Sequence, residues 1–159
     1  MGKSGASQVI LDQPHDTERL AGVVALALPR NCDGWLILLQ GDLGSGKSTF
    51  ARALLGALGH TGTVPSPTYT LVEPYEIARG TIYHVDLYRV SDSSELDFLG
   101  WDELRNGFLL VEWPERVPSL FAEADVVIHL HYHGEGRSAQ LDGVTERGKK
   151  LVSVTCENY

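Results

Sequence analysis

The stretch WLILLQGDLGSGKSTFARALLGALG, residues 35–59, joins an apolar run to a glycine-rich loop and then to a helical pattern. Gly41, Gly46, Lys47 and Ser48 have the spacing G-x-x-x-x-G-K-[ST] of a phosphate-binding loop. The apolar run before the loop is typical of a strand that is covered on both faces of a parallel sheet. The apolar residues after it recur at helical spacing, and Gly59 is well placed to end the helix. We therefore predict a central strand, a phosphate-binding loop and a helix.

Each residue type in the loop has a physical role. Glycines, here Gly41, Gly44 and Gly46, allow successive backbone N–H groups to turn toward an anion, and the positive end of the following helix adds to that field. Lys47 is expected to reach the β- and γ-phosphates, and the Ser48 hydroxyl is expected to bind Mg²⁺. The alternative is a glycine-rich turn before a helix, and the place of the motif between an apolar strand and an amphipathic helix favours the phosphate-binding loop.

Such a loop also needs a carboxylate on a neighbouring strand, which orients Mg²⁺ or its waters and positions the attacking water. Asp86 ends the run IYHVD, and Glu112 ends the run FLLVE. Ligands of open α/β sheets bind at the carboxyl ends of strands, so both acids are candidates for the metal site and for catalysis. Either acid could instead cap the turn that follows its strand.

Five further positions have open interpretations. Thr68 lies between prolines in PSPTYT and is either a switch-like contact to the γ-phosphate or simply part of a β-rich segment. His129, His131 and His133 alternate and would face one side of a strand, where a metal is possible but a polar sheet face is the favoured interpretation. Trp113, next to Glu112, is either a packing residue or a contact to the nucleotide or a partner.

Composition limits the classes of function. The chain has 159 residues and 43% hydrophobic residues, so we expect a single domain over residues 1–159. Its net charge of −8 argues against unaided binding to nucleic acid, and its apolar runs are too short to cross a membrane. The start, MGKSGASQ, lacks the apolar core of a signal peptide, which predicts a cytoplasmic protein.

The remaining patterns predict an α/β protein: a three-layer P-loop NTPase fold with a central mixed, mostly parallel sheet. Strands are expected at 9–11, 106–115, 124–133 and 137–144, and an antiparallel pair at 65–76 and 80–90. Helices are expected at 15–28 and 92–104. The alternating segment LVSVTC, residues 151–156, predicts a last strand.

The nucleotide base is indicated by missing motifs. The sequence contains no N-K-x-D stretch for guanine, no L-S-G-G-Q signature and no arginine-rich lid of the kind that small kinases close over a substrate. Adenine is therefore the expected base.

Five blocks of the sequence, taken in order, resemble one family. They are GDLGSGKSTFARALLGALG, SPTYTLVEPYE, IYHVDLYR, ELDFLG and LVEWPER, between residues 36 and 116, and they are similar to the TsaE (YjeE) family of bacterial ATPases. The resemblance implies a small P-loop ATPase needed to make the threonylcarbamoyladenosine of tRNA. It implies action on a TsaB and TsaD pair, with tRNA reached only through that complex.

The resemblance also assigns residues by position. It implies that phosphates bind to Leu43, Gly44, Ser45, Gly46, Lys47, Ser48 and Thr49, with Mg²⁺ held by Ser48 and Glu112 and with Asp86 as the other functional acid. Thr68 and Trp113 fall on positions typical of the family. Nucleotide contacts outside the loop would fall on Glu115 and Arg137.

Two other classes of function remain open. The chain could be a small-molecule kinase that uses Asp86 as a base, or a nucleotide-binding adaptor that does not hydrolyse. In the ATPase interpretation hydrolysis is expected to be slow without a partner, because no arginine finger is evident and such a finger contributes ~10³- to 10⁵-fold in rate. Arg89 or Arg116 could supply one within the chain.

Overall fold

The structure is a computed structural model and describes residues 6–159. The segment MGKSG, part of the stretch in which no signal peptide was recognised, lies outside the described residues. The strands are Ala6–Leu11 (β1), Leu36–Gln40 (β2), Val72–Ile77 (β3), Gly80–Asp86 (β4), Phe108–Glu112 (β5), Val126–His133 (β6) and Gly136–Gly143 (β7). The helices are Pro14–Ala27 (α1), Lys47–Ala57 (α2), Glu95–Phe98 (α3), Trp101–Leu104 (α4), Leu120–Glu123 (α5) and Glu146–Asn158 (α6), with a 3₁₀ turn at Pro114–Arg116.

The strands form one mixed sheet in the order β1-β7-β6-β2-β5-β4-β3. Strands β4, β5, β2 and β6 are mutually parallel, whereas β7 is antiparallel to β6 and to β1, and β3 is antiparallel to β4. Five of the seven strands therefore point the same way, as predicted. The run WLILLQ supplies β2, which lies in the middle of the sheet and is buried on both faces.

Side chains alternate between two cores, because successive residues of a strand point to opposite faces. In β2, Ile37 and Leu39 pack under the layer formed by α1, α2 and α6. Leu36 and Leu38 pack on the opposite face against α3, α4 and α5. These two helical layers around the sheet confirm the predicted three-layer α/β fold.

Helix α2 begins and ends at glycines with positive φ. Gly46 precedes its first residue at φ 107°, and Gly59 follows the last turn at φ 116°. The His60 N–H donates to the Leu55 carbonyl at 3.0 Å and the Gly59 N–H to the Gly56 carbonyl at 3.1 Å, the pattern of a Schellman motif. The predicted stop at Gly59 is therefore confirmed.

The predicted last strand at 151–156 is wrong, because these residues belong to α6. The Thr145 hydroxyl accepts a hydrogen bond from the Gly148 N–H at 3.1 Å and caps the helix. The buried residues Gly148, Leu151, Val152 and Thr155 recur at helical spacing. Packing of this face onto the sheet overrides the β preference of the letters LVSVTC.

Other boundaries also differ from the prediction. Strand β4 ends at Asp86 and not at residue 90, and β5 spans Phe108–Glu112 and not 106–115. The expected helix at 92–104 is two short helices, α3 and α4, separated by Gly100 at φ 73°. The expected strand at 65–76 begins only at Val72, because Leu71 has φ 68° and residues 65–71 form turns. The longest helix within residues 6–159 is α1 with 14 residues, and none has the length and hydropathy that a bilayer crossing requires.

Candidate nucleotide-binding site

The glycine loop lies where β2 ends and α2 begins, and its glycines are fixed by the fold. Gly44 and Gly46 have φ values of 79° and 107°, which other L-residues rarely adopt. A Cβ on Gly41 would lie 2.5 Å from the Leu130 carbonyl oxygen of β6. The loop is therefore wrapped tightly around the start of α2, as a phosphate cradle requires.

Lys47 points back into this loop. Its ammonium donates hydrogen bonds to the carbonyl oxygens of Gly41 and, at 3.0 Å, Asp42, and it lies 4.0 Å from the ring centre of Trp113. Burial lowers the pKa of Lys47, and the nearby carboxylates of Glu112, Glu115, Asp86 and Asp42 only partly offset this effect. A phosphate group beside the ammonium would stabilise its charged form, which burial disfavours.

The two predicted acids lie side by side at the carboxyl edge of the sheet. Asp86 is directly opposite Glu112 in the register of β4 and β5, and both are buried. The Ser48 hydroxyl, in the first turn of α2, donates to Oε1 of Glu112 at 3.2 Å. The loop, the hydroxyl and both carboxylates therefore converge as the sequence predicts.

Asp86 is held by its own loop and by Thr68. Its Oδ1 accepts from the Tyr88 N–H at 2.8 Å, and the Thr68 hydroxyl approaches Oδ2 at 3.4 Å. Burial raises the pKa of Asp86, and the charge of Glu112 adds to the effect, while the Tyr88 and Thr68 hydrogen bonds counter it. Thr68 is also 2.8 Å from the Ser66 hydroxyl, so the turn at 65–71 brings it to the acids.

Trp113 closes the side of the cleft next to Glu112. Its backbone has φ 58°, a left-handed conformation that is unusual for a bulky residue. Its ring is 4.9 Å from that of Tyr88 and contacts the Lys47 ammonium. Trp113 lines the acid-side cleft and also packs against the core on the face of α3, α4 and α5, so the contact role and the packing role both remain predictions.

Two clefts meet at the loop. A cleft of about 280 Å³ lies on the acid side and is lined by Leu43, Gly44, Gly46, Lys47, Ser48, Thr49, Ser66, Thr68, Asp86, Glu112 and Trp113. A second cleft of about 230 Å³ lies on the other side and is lined by Leu11, Asp12, Gln13, Pro14, Thr17, Gly44, Gly46, Thr49, Glu135, Gly136 and Arg137. The shared residues Gly44, Gly46 and Thr49 allow one ligand to extend through both.

The second cleft contains Arg137 and residues that the sequence did not indicate. The guanidinium of Arg137 donates to the Gly44 carbonyl at 3.0 Å, and the Tyr132 hydroxyl donates to the Leu43 carbonyl at 2.6 Å. Tyr132 and the residues of β1 and α1 come from segments far from the loop in sequence. No local motif joins them, so only the fold could bring them together.

Glu115 and the histidines lie apart from the lining of both clefts. Glu115, in the 3₁₀ turn, affects the pKa of Lys47 through its charge but lines neither cleft. His129 pairs with Asp142 at 2.9 Å. Within residues 6–159 no group of three metal-ligating side chains is found. The polar sheet face therefore stays a prediction for the histidine run.

The donor atoms at the acid side fit a magnesium ion. Mg²⁺ prefers oxygen ligands, keeps several waters and uses few protein groups. Ser48 supplies a hydroxyl oxygen, and Glu112 and Asp86 supply carboxylate oxygens on adjacent strands. Ser48 and Glu112 would be the direct or water-mediated ligands, with Asp86 beside them.

The fold and this site define an α/β protein with a phosphate-binding loop at the carboxyl edge of a three-layer structure. The family model described as "Threonylcarbamoyl adenosine biosynthesis protein TsaE" matches residues 11–140. The chain therefore belongs to the TsaE family, whose role lies in tRNA threonylcarbamoyladenosine biosynthesis.

Relatives and a solved structure agree with this assignment. The chain is 43% identical over 121 residues to the tRNA threonylcarbamoyladenosine biosynthesis protein TsaE of Haemophilus influenzae, covering 75% of this chain and 77% of the relative. It is 43% identical over 111 residues to TsaE of Aquifex aeolicus, covering 69% and 77%. The crystal structure of Bacillus subtilis YdiB superposes with a TM-score of 0.78 at 25% identity and covers 99% of each chain.

Proposed function

We propose that this chain binds ATP with Mg²⁺ and hydrolyses it in the cytoplasm, as the nucleotide-dependent subunit that acts on a TsaB–TsaD pair. In this proposal the chain supports threonylcarbamoyladenosine formation at adenosine 37 of tRNA and meets tRNA only through the complex. The observation that carries the proposal is the convergence of Lys47, Ser48 and Glu112 at the head of α2.

In this proposal the two clefts hold different parts of the nucleotide. The acid-side cleft contains Lys47 and the hydroxyls of Ser48 and Thr49, which suit the phosphates. The second cleft is lined by Leu11, Pro14 and polar atoms around them, which suits a nucleoside. Thr49, which lines both clefts, would lie beside the phosphate nearest the ribose.

The chain's own groups perform the steps of hydrolysis. On phosphate binding, Lys47 would leave the Gly41 and Asp42 carbonyls and donate to β- and γ-oxygens. Ser48 and Glu112 would hold Mg²⁺, whose charge, when bound, offsets the negative charge that develops on the phosphate oxygens. Asp86, with its pKa raised by burial, would accept a hydrogen bond from the attacking water and orient it.

Hydrolysis is expected to be slow without partners. Arg89 stacks on Tyr69 with its guanidinium carbon 5.4 Å from the ring centre, and Arg116 stacks on Tyr88 at 5.1 Å. In the part of the chain that the structure describes, neither arginine lines the acid-side cleft. A partner that adds or reorients one cation at the γ-phosphate would accelerate the reaction.

The test is phosphate release from ATP by the purified chain, alone and with the TsaB–TsaD pair. We expect slow Mg²⁺-dependent release that rises when the pair is added. Transfer of phosphate to an added acceptor without partners would indicate a kinase instead. Tight ATP binding with no release, even with the pair present, would indicate a non-hydrolysing adaptor.

A further inference from the structure

The side chain of His84 lies beneath the acid-side cleft and makes one polar contact among the described residues. His84 is 1% exposed, and its Nε2 lies 2.6 Å from Oε2 of Glu112. Its Nδ1 is buried without a hydrogen-bond partner. An ionised carboxylate can only accept, so Nε2 carries the proton of this pair.

The register of the sheet fixes this contact. His84 pairs with Leu110 and Asp86 pairs with Glu112, so His84 is the diagonal neighbour of Glu112 on the same face of the sheet. Strand β4 lies between β3 and β5, which holds the histidine backbone on both sides. The imidazole therefore meets Glu112 from a rigid position.

The two oxygens of Glu112 have different partners. Oε1 accepts from the Ser48 hydroxyl at 3.2 Å, and Oε2 accepts from His84. A glutamate carboxylate rotates readily about its last torsion, because the rotation profile of that bond is broad. The contact at Oε2 removes that freedom and leaves Oε1 facing Ser48.

We propose that His84 is a positioning residue of the magnesium site: it holds Oε2 of Glu112 so that Oε1 and the Ser48 hydroxyl present a fixed pair of oxygens to the ion. This inference rests on the proposed function. A positioning role differs from a role in stability alone, because a positioning residue affects the part of nucleotide affinity that depends on Mg²⁺. Partners behind a metal ligand typically contribute ~10- to 100-fold in metal affinity.

Two substitutions separate these roles. His84→Gln places an amide N–H as many bonds from Cα as Nε2, whereas the amide of His84→Asn is one bond too short to reach Glu112. We expect the Asn variant to bind ATP in EDTA within ~3-fold of the parent but to lose ~10-fold or more of the affinity gained with Mg²⁺. The Gln variant should keep most of that gain.

His129→Asn is the matched control, because it removes a histidine–carboxylate pair of similar length, 2.9 Å to Asp142, outside both clefts. Isothermal titration calorimetry with ATP, in Mg²⁺ and in EDTA, gives the ratio of the two affinities for each protein. The control should keep the ratio of the parent.

An unchanged ratio in folded His84→Asn, or equal losses in Mg²⁺ and EDTA, overturns the positioning role and leaves nucleotide binding intact. Absence of ATP binding by the parent overturns the proposed function itself. If the Asn variant does not fold, nuclear magnetic resonance of the labelled parent decides. The His84 Nε2 signal should then shift when Mg²⁺ is added to the ATP-bound protein, and an unmoved signal overturns the inference.

Discussion

Replacement of Gly44 by alanine tests whether the shape of the loop determines nucleotide affinity. Gly44 has φ 79°, and an added Cβ would lie 2.6 Å from the Tyr132 hydroxyl oxygen. Gly34, before β2, is a close control because its φ is 82° and a Cβ there meets nothing within 4 Å. It lies at the opposite end of β2 from the loop.

The structure gives the size of the expected effect. Alanine in the left-handed region costs about 1–2 kcal/mol, a term shared by both variants. At Gly44 the methyl group also displaces Tyr132, whose 2.6 Å hydrogen bond to the Leu43 carbonyl contributes about 0.5–1.5 kcal/mol. If the free loop relaxes out of this conformation, nucleotide binding must restore it, and affinity falls roughly 10- to 300-fold.

The assay is calorimetric titration with ADP, accompanied by thermal unfolding of each variant. We expect Gly34→Ala to lower the melting temperature while keeping affinity within ~2-fold of the parent. Gly44→Ala should lose affinity well beyond any change in melting temperature. Equal affinities for the two variants would refute the claim that the Gly44 conformation preorganises the phosphate cradle.

Four further substitutions have defined outcomes. Lys47→Ala should weaken ATP binding by roughly 10- to 100-fold or more, with little change in the circular dichroism spectrum, because the side chain ends at the proposed ligand. An affinity equal to that of the parent would contradict the loop assignment. Burial acts to raise the pKa of Asp125, but hydrogen bonds from Arg147, from Thr145 and from a backbone amide outweigh it and hold the pKa below its usual value. Asp125 therefore adds stability that is present above the unfolded pKa and is lost as pH falls through the lower, folded pKa. Urea unfolding of Asp125→Asn should show a loss of about 1–3 kcal/mol at pH 7 that persists to about pH 4 and shrinks only as the pH falls further. A Cβ on Gly148 would overlap the Asp125 carbonyl, whereas a Cβ on Gly56 meets nothing within 4 Å. In the same assay, Gly148→Ala should therefore lower the free energy of unfolding by about 1–3 kcal/mol, and Gly56→Ala should raise it by about 0.5–1 kcal/mol. The reverse order would contradict the packing of α6.

The features that the sequence predicts well are those encoded locally. The phosphate loop is one contiguous motif. Asp86 and Glu112 each end an apolar run, so the local pattern places them at strand ends, and the carboxyl ends of parallel strands meet at one edge of the sheet. Their direct opposition depends on the register of β4 and β5. That register is a property of the assembled sheet.

Helix α6 shows why a local pattern can mislead. LVSVTC alternates β-branched residues, which is typical of a strand. The helical face is instead completed by Gly148, a residue usually associated with turns, which lies against the Asp125 backbone. Thr145, placed three residues before Gly148, was the available signal for a helix start.

The site divides into two halves that meet at β2. On one side, β4 and β5 supply Asp86, Glu112 and the His84 contact, at the end of the cleft where we propose that the ion binds. On the other side, the β6–β7 hairpin supplies Tyr132 and Arg137, which donate hydrogen bonds to the loop carbonyls of Leu43 and Gly44. Because β2 pairs with β5 on one edge and β6 on the other, the proposed phosphate site and the proposed ion site are built by different parts of the sheet. The order of strands around β2 is therefore what lets a loop of a few residues serve both purposes.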